Sequence, residues 1–505
     1  MDFFYGKAPF ALIVCAILSG ILLFFSGSSA QKARPDLIYV TFSKEHAEAY
    51  RSCIGGFEKK YGVNVQIQLV DSAALTGRLQ SAMQIGAEVP DMVELLYPTI
   101  GTFTRGPLED VQLVDLTEQV KSSGLYDQLV NTRFARWSSR GHIFALPHDV
   151  HPVMLVYRKD ILAQEGVDPS TLTTWDEFCR VGREVVRRNT GPDGLTNRYM
   201  LDLPSDGSDT LRLLMLQRGT DLFDAVGHVT FDDEKTLDVV CWYVKQIEGR
   251  DRIAFPCGSG QDFSRAMIDG LCLFYFCPDW RTRQIQEDVP SMNGKLGLMP
   301  LPAWEPGGIR TSTWGGTGLA ITRACRNKDL AWKLAMYLYY DADQLGPRFA
   351  DTNILPPLKS AWTKPEFLQP RPFFDGNPIG QTYAQLAPQV PCDYCTAYTT
   401  LANAKLSEAF TNASLYYESH GDTGLREYAA AELHRCAERV RTIMGRNVFL
   451  SESSNLRIRR EPTPSPGTPG VGGGDFERKT ALDIPNHPHP NPLPEYRERG
   501  PEVSP

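Results

Sequence analysis

QDFSRAMIDGLCLFYFCPDW (Gln261–Trp280), followed by KLGLMPLP (Lys295–Pro302) and STWGGTGLAIT (Ser312–Thr322), is the part of the sequence that decides the fold. Phe263, Met267 and Ile268 share one face of a predicted helix that stops at Gly270. The helix feeds Leu271–Phe276, which is apolar on both alternations, as a strand buried on both faces and paired in parallel is. Such strands present ligand groups just past their C-terminal ends, where Asp279 and Trp280 stand. The block therefore points to binding rather than to chemistry.

Working outward, the same order of elements recurs. Leu37–Val40 reads as a strand, and Ala47, Tyr50, Ile54, Phe57 and Tyr61 recur at helical spacing. Val63, Val65, Ile67 and Leu69 alternate with polar residues as in a half-buried strand. A helical piece over Leu75–Met83 and an apolar Met92–Leu96 follow. Beyond Pro147-His148-Asp149, Val153–Tyr157 is apolar, and Thr174-Trp175-Asp176-Glu177 forms a capping box that opens a helix through Phe178, Val181 and Val185. Ala331–Tyr340 is another helix. Strands alternating with helices define an α/β protein with largely parallel sheets.

The ends differ from this body. Lys7, the apolar Ala8–Phe25 and the small residues Ser28-Ser29-Ala30 have the layout of a secretory signal, with cleavage after Ala30. An uncleaved N-terminal membrane anchor is the rival, since the run just reaches spanning length. From Glu461 to Pro505, 11 Pro and 6 Gly stand among 45 residues, the composition of a disordered tail. At 505 residues the chain has room for two or three domains. A net charge of −8 without a basic run excludes a nucleic-acid partner.

Eleven cysteines, ten of them beyond the leader, predict some disulfides in an exported protein. Cys272 and Cys277 face opposite sides of one strand and are not partners, whereas Cys392 and Cys395 could close a small loop. No metal is expected. Cys392-x-x-Cys395 has no second pair at zinc spacing, and His148 and His151, three apart on a strand, face opposite sides. The chain has no His-Glu-x-x-His, phosphate loop or Gly-x-Ser-x-Gly elbow, so neither a catalytic residue nor a cofactor is assigned.

Several segments in order resemble the family 1 extracellular solute-binding proteins, the sugar-type receptors of ABC importers. They are Gly56-Phe57-Glu58-Lys59-Lys60-Tyr61-Gly62-Val63-Asn64-Val65, Val89-Pro90-Asp91-Met92-Val93-Glu94, Phe144-Ala145-Leu146-Pro147, Tyr157-Arg158-Lys159-Asp160-Ile161-Leu162, Thr174–Phe178 and the opening block. The resemblance covers about Leu37 to Met444 and implies a type II periplasmic-binding-protein fold. In that fold two α/β lobes, each a mixed, mostly parallel sheet flanked by helices, enclose a ligand cleft. It implies crossings near Pro147–His151, Leu298–Pro302 and Asn353–Pro357. Lobe one would span 31–148 and 298–345, lobe two 149–297 and 346–450, with the tail from 451.

The function implied is capture of a sugar or related solute outside the cytoplasm and delivery to ABC permease subunits. A ligand-sensing module or a secreted carbohydrate-active enzyme are the alternatives. The resemblance implies an aromatic platform at Trp280 with Asp279 beside it, and close backbone approach at the turn Trp314-Gly315-Gly316. Ser43, Lys44 and Glu45 after the first strand, Glu94 and Tyr97 at the end of the third, Asp149 on the first crossing, and Tyr394 and Tyr398 complete the candidate ligand set. Structural alternatives are core packing for Trp280, Tyr394 and Tyr398, a turn role for Asp279, packing for the glycines and a solvated helix start for Ser43, Lys44 and Glu45.

Overall fold

The computed structural model describes residues 34–85 and 88–447; the expected leader and the Pro/Gly-rich tail lie outside the described residues. All the described residues belong to one packed unit.

Two five-stranded sheets organise it. The first contains β1 (Leu37–Thr41), β2 (Val65–Leu69), β3 (Met92–Leu96), β6 (Leu146–Pro147) and β12 (Thr317–Ile321), in the order β2-β1-β3-β12-β6. β1 runs parallel to β2 and β3, while β12 lies antiparallel to β3 and β6. The second contains β7 (Val153–Arg158), β8 (Tyr199–Asp202), β9 (Ala254–Phe255), β10 (Cys272–Pro278) and β11 (Leu296–Pro300), in the order β11-β7-β10-β8-β9. A two-stranded hairpin, β4 (Ser138–Ser139) with β5 (His142–Ile143), stands apart. Two mixed sheets flanked by helices are the framework of a bilobed binding-protein fold.

β10 is buried along its whole length, as its unbroken apolar pattern requires. Burying each Leu or Phe there is worth about 1.5–3 kcal/mol. Its pairing with β8 is parallel and its pairing with β7 antiparallel; β11 lies beyond β7 and pairs antiparallel with that strand. A pattern apolar on both alternations reports burial on two faces, and it carries no information about the direction of a neighbour.

Helix ends follow local chemistry. Helix α1 (Lys44–Tyr61) starts where Ser43 Oγ accepts the His46 amide at 3.1 Å and stops at Gly62, whose φ of 65° is left-handed. Helix α2 (Trp175–Arg188) carries the complete capping box between Thr174 and Glu177. Helix α3 is Ser208–Arg218, α4 is Asp279–Asp288, directly continuing β10, and α5 is Lys328–Tyr340.

The chain passes between the sheets after Pro147, and again after Pro300, because residues 296–300 still pair with β7. Where disulfides were predicted, all ten cysteines of the described residues are free thiols. Eight are buried and Cys53 and Cys392 half-buried, and even the Cys257 and Cys272 sulfurs stand 3.3 Å apart, well beyond bonding distance. Cys392 and Cys395 are likewise unpaired. Among the described residues no helix is long and apolar enough to cross a membrane.

Candidate ligand cleft

The first crossing, HDVH (148–151), sends its side chains to opposite sides. His148 turns toward the first sheet and packs against His46 with ring centroids 4.2 Å apart and the rings tilted at 42°. His151 turns toward the second, and its Nδ1 lies 2.6 Å from Asp279 Oδ1. Its Nε2 lies 3.2 Å from Asp149 Oδ2, so one imidazole bridges two buried carboxylates. Burial opposes the charge on His151, but Asp149 and Asp279 overcome it and raise its pKa to about 9. Burial also opposes ionisation of Asp149; His151 and His148 outweigh it and hold the carboxyl well below the usual range.

These acids are engaged by the protein itself. Asp149 Oδ2 accepts from the Thr317 amide at 2.8 Å and from Thr317 Oγ1 at 3.0 Å. Asp279 accepts from the Trp280 amide at 2.8 Å and from the Leu355 amide at 2.7 Å. The network ties the start of α4 to both the first and the third predicted crossings. Residues 149 and 279 thus meet through His151, which sequence reasoning noted only as a weak metal candidate. Its left-handed φ of 52° is unusual outside glycine and holds the ring between the carboxylates.

Trp280 and Trp314 come together on the same side. Their rings meet edge to face with centroids 6.1 Å apart, and Trp280 Nε1 donates to the Trp314 carbonyl at 3.2 Å. The Arg281 guanidinium lies 4.4 Å from the Trp314 ring centroid and 5.3 Å from that of Trp280. Both indoles remain partly exposed beside a buried ionic network. Trp314 Nε1 also donates to Asp209 Oδ2 of α3 at 3.2 Å.

The turn Gly315-Gly316 follows with φ of 80° and 140°. The Gly316 carbonyl accepts the Tyr97 amide at 2.9 Å. A Cβ on Gly316 would collide with the Arg136 guanidinium, which donates to the Gly315 carbonyl. The glycines thus admit an arginine rather than an open space.

That arginine belongs to a cluster absent from the sequence-derived set. Arg136 pairs with Asp393 through two contacts, Nε–Oδ1 at 2.9 Å and Nη2–Oδ2 at 2.6 Å. Arg212 of α3 reaches Asp221 at 2.9 Å and Asp393 at 3.7 Å. Tyr97 lies between Arg136 and Arg212, at 4.6 and 4.7 Å from its ring centroid. The signal in the sequence was Arg133 and Arg136 at helical spacing within RFARW, where Phe134 and Trp137 drag the turn into the core.

The remaining candidates are placed differently. Glu94 is fully buried and accepts from Thr41, His46, Tyr50 and Tyr339. Burial opposes its charge, yet His46 lowers its pKa to about 2. Ser43 caps α1 and donates to Glu45 at 2.9 Å, and Lys44 lies 3.8 Å from Glu48 at the surface. The Tyr394 amide donates to Asp221 at 2.8 Å, and Tyr398 caps a later helix (Thr399–His420) beneath Arg105. Tyr394 is not in a helix, so the two tyrosines do not share a helical face.

Among the described residues, His46, Glu94 and His148 form the group that could hold a metal ion, with ligand atoms all within 4.8 Å of one another. The four donors on Glu94 already satisfy that carboxylate, so the group works as a buried hydrogen-bond knot.

A sequence profile of bacterial extracellular solute-binding proteins matches residues 54–371. The arabinooligosaccharide-binding protein of Halalkalibacterium halodurans is 23% identical over 393 residues, covering 76% of this chain and 86% of the relative. The lactose-binding protein of Rhizobium radiobacter is 25% identical over 55% of this chain and 63% of its own length. The solved sugar-binding protein MalE of Xanthomonas citri superposes with a TM-score of 0.65 at 21% identity, over 81% of this chain and 99% of that one. With the profile match covering well over half of its length, the chain belongs to the bacterial extracellular solute-binding proteins, related to the sugar-binding receptors of ABC transporters.

Proposed function

We propose that this protein captures a carbohydrate outside the cytoplasm between its two lobes and delivers it to the permease of an ABC importer. The observation that carries the reading is the partly exposed Trp280–Trp314 pair, set where β10 ends and a crossing segment arrives. Flat indole faces pack on the apolar C–H faces of sugar rings, while adjacent polar groups bind hydroxyls. The arabinooligosaccharide- and lactose-binding relatives support the solute class.

The buried Asp149–His151–Asp279 bridge supports a closing mechanism. It anchors two crossing segments to the second sheet, so that bending is concentrated in the few residues between the sheets. A solute touching both lobes only when they are closed shifts that equilibrium by its differential binding energy, and a permease would recognise the closed surfaces.

Titration of the full chain with neutral and acidic oligosaccharides, followed by tryptophan fluorescence, tests the reading. The expected result is saturable binding that Trp280→Ala weakens at least tenfold, about 1.4 kcal/mol. Unchanged affinity in a folded Trp280→Ala protein would remove the stacking role.

A further inference from the structure

Two of the free thiols meet inside the second sheet. Cys257 Sγ lies 3.3 Å from Cys272 Sγ, and both cysteines are buried. β8 holds them there. It lies between β9 and β10 and runs parallel to both. Cys257, two residues beyond β9, donates its amide to Asp202 Oδ1 at 3.0 Å. Cys272 opens β10, and its thiol reaches the Leu201 carbonyl at 3.5 Å. Adjacent residues of one strand thus fasten side by side two cysteines that are 15 apart in sequence.

The two sulfurs differ in access. Cys257 lines a cavity of about 440 Å³ together with Phe255, Pro256, Arg265, Asp269 and Leu271. Arg265 and Asp269, on the helix Gln261–Asp269, are exposed, so the cavity communicates with solvent. Cys272 is absent from that lining and fully enclosed. Burial, and then the Cys257 thiol against it, raise the Cys272 pKa well above the usual thiol range. A reagent in solution therefore meets Cys257 first and acts on Cys272 only through it. The family implies an extracytoplasmic address, where disulfides form and persist.

We propose that Cys257 and Cys272 close a disulfide by exchange with an organic disulfide such as oxidised glutathione. The Cys257 thiolate attacks one sulfur of the reagent, whose other half leaves as a thiolate. Cys272 then gives up its proton and attacks Cys257 Sγ, releasing the second half of the reagent. One S–S bond forms within the chain and one breaks in the reagent. Two electrons and two protons leave with the two reagent thiols. Bonded sulfurs stand about 2.05 Å apart, so the pair at 3.3 Å closes by moving about 1.2 Å. The bond ties β9, a two-residue edge strand, to β10, which leads to Trp280. Such a cross-link restrains the unfolded chain and makes the closed form the more stable one.

Incubation of the folded full chain with oxidised glutathione, blocking of free thiols in denaturant and peptide mapping without reductant test this. The expected product is a pair of peptides joined between Cys257 and Cys272, lighter by two hydrogens than the separate peptides. Chain reduced with dithiothreitol should carry blocking groups on both residues. The linked chain should melt about 3 °C or more above the reduced one, and Cys257→Ser should remove that difference. Blocking groups on both cysteines after treatment would overturn the proposal. Glutathione retained on Cys257 without transfer, or Cys272 joined to another cysteine, would overturn it too. Equal melting of the linked and reduced chains would overturn the stabilising role. The map is read on the parent chain, so it decides the matter even where Cys257→Ser does not fold.

Discussion

His151 shows how much one side chain contributes to this cleft. Its ring is the cation between Asp149 and Asp279, and its pKa stands at about 9 against an ordinary 6.5. A histidine raised on folding adds stability that is complete below pH 6.5 and is lost as pH climbs through 9. On the order of 3 kcal/mol should disappear across that window. Thermal melts from pH 6 to 10 should show this alkaline limb in the parent and a flatter one in His151→Gln; limbs of equal depth would contradict the assignment. His148 works the other way. Burial and the neighbouring His46 lower its pKa to about 4, so its share of stability is lost as pH falls from 6.5 toward 4. Two histidines three residues apart thus define an optimum near pH 6.5. Sequence periodicity does place them on opposite sides of the crossing, with Asp149 between them, but the second carboxylate that His151 meets lies 128 residues away and Glu94 stands on another element.

At the scale of elements, local rules were sufficient where the decisive contacts are local. The capping box at Thr174–Glu177 and the stop at Gly270, with its left-handed φ of 68°, follow from neighbours within four residues. Thr174→Ala should cost about 1 kcal/mol, read as a lower denaturant midpoint with an unchanged slope. An unchanged midpoint would mean that packing of Trp175 alone fixes the helix start. Pairing direction was not legible in β10, because β7, its antiparallel neighbour, reaches it through a long connection. The RFARW turn was missed for a related reason. An arginine reads as a surface residue until Asp393, more than 250 residues later, is seen to hold it inside.

For the whole molecule, strand–helix alternation on both sides of Pro147 made the α/β class legible, while the division into two sheets came only from the family resemblance. What the candidate residues do was much less legible. Glu94 is enclosed by donors of the first sheet's own core, and Ser43 is occupied with capping. Trp280, Trp314, Gly315, Gly316, Asp149, Asp279 and Tyr97, by contrast, converge on one region together with three arginines. The convergence links segments on both sheets, which is the requirement for a ligand to drive closure. Small-angle X-ray scattering of the full chain, with and without a solute at 100 times its dissociation constant, tests that claim most directly. The account predicts a smaller radius of gyration in the bound state; an unchanged radius at saturation would contradict it.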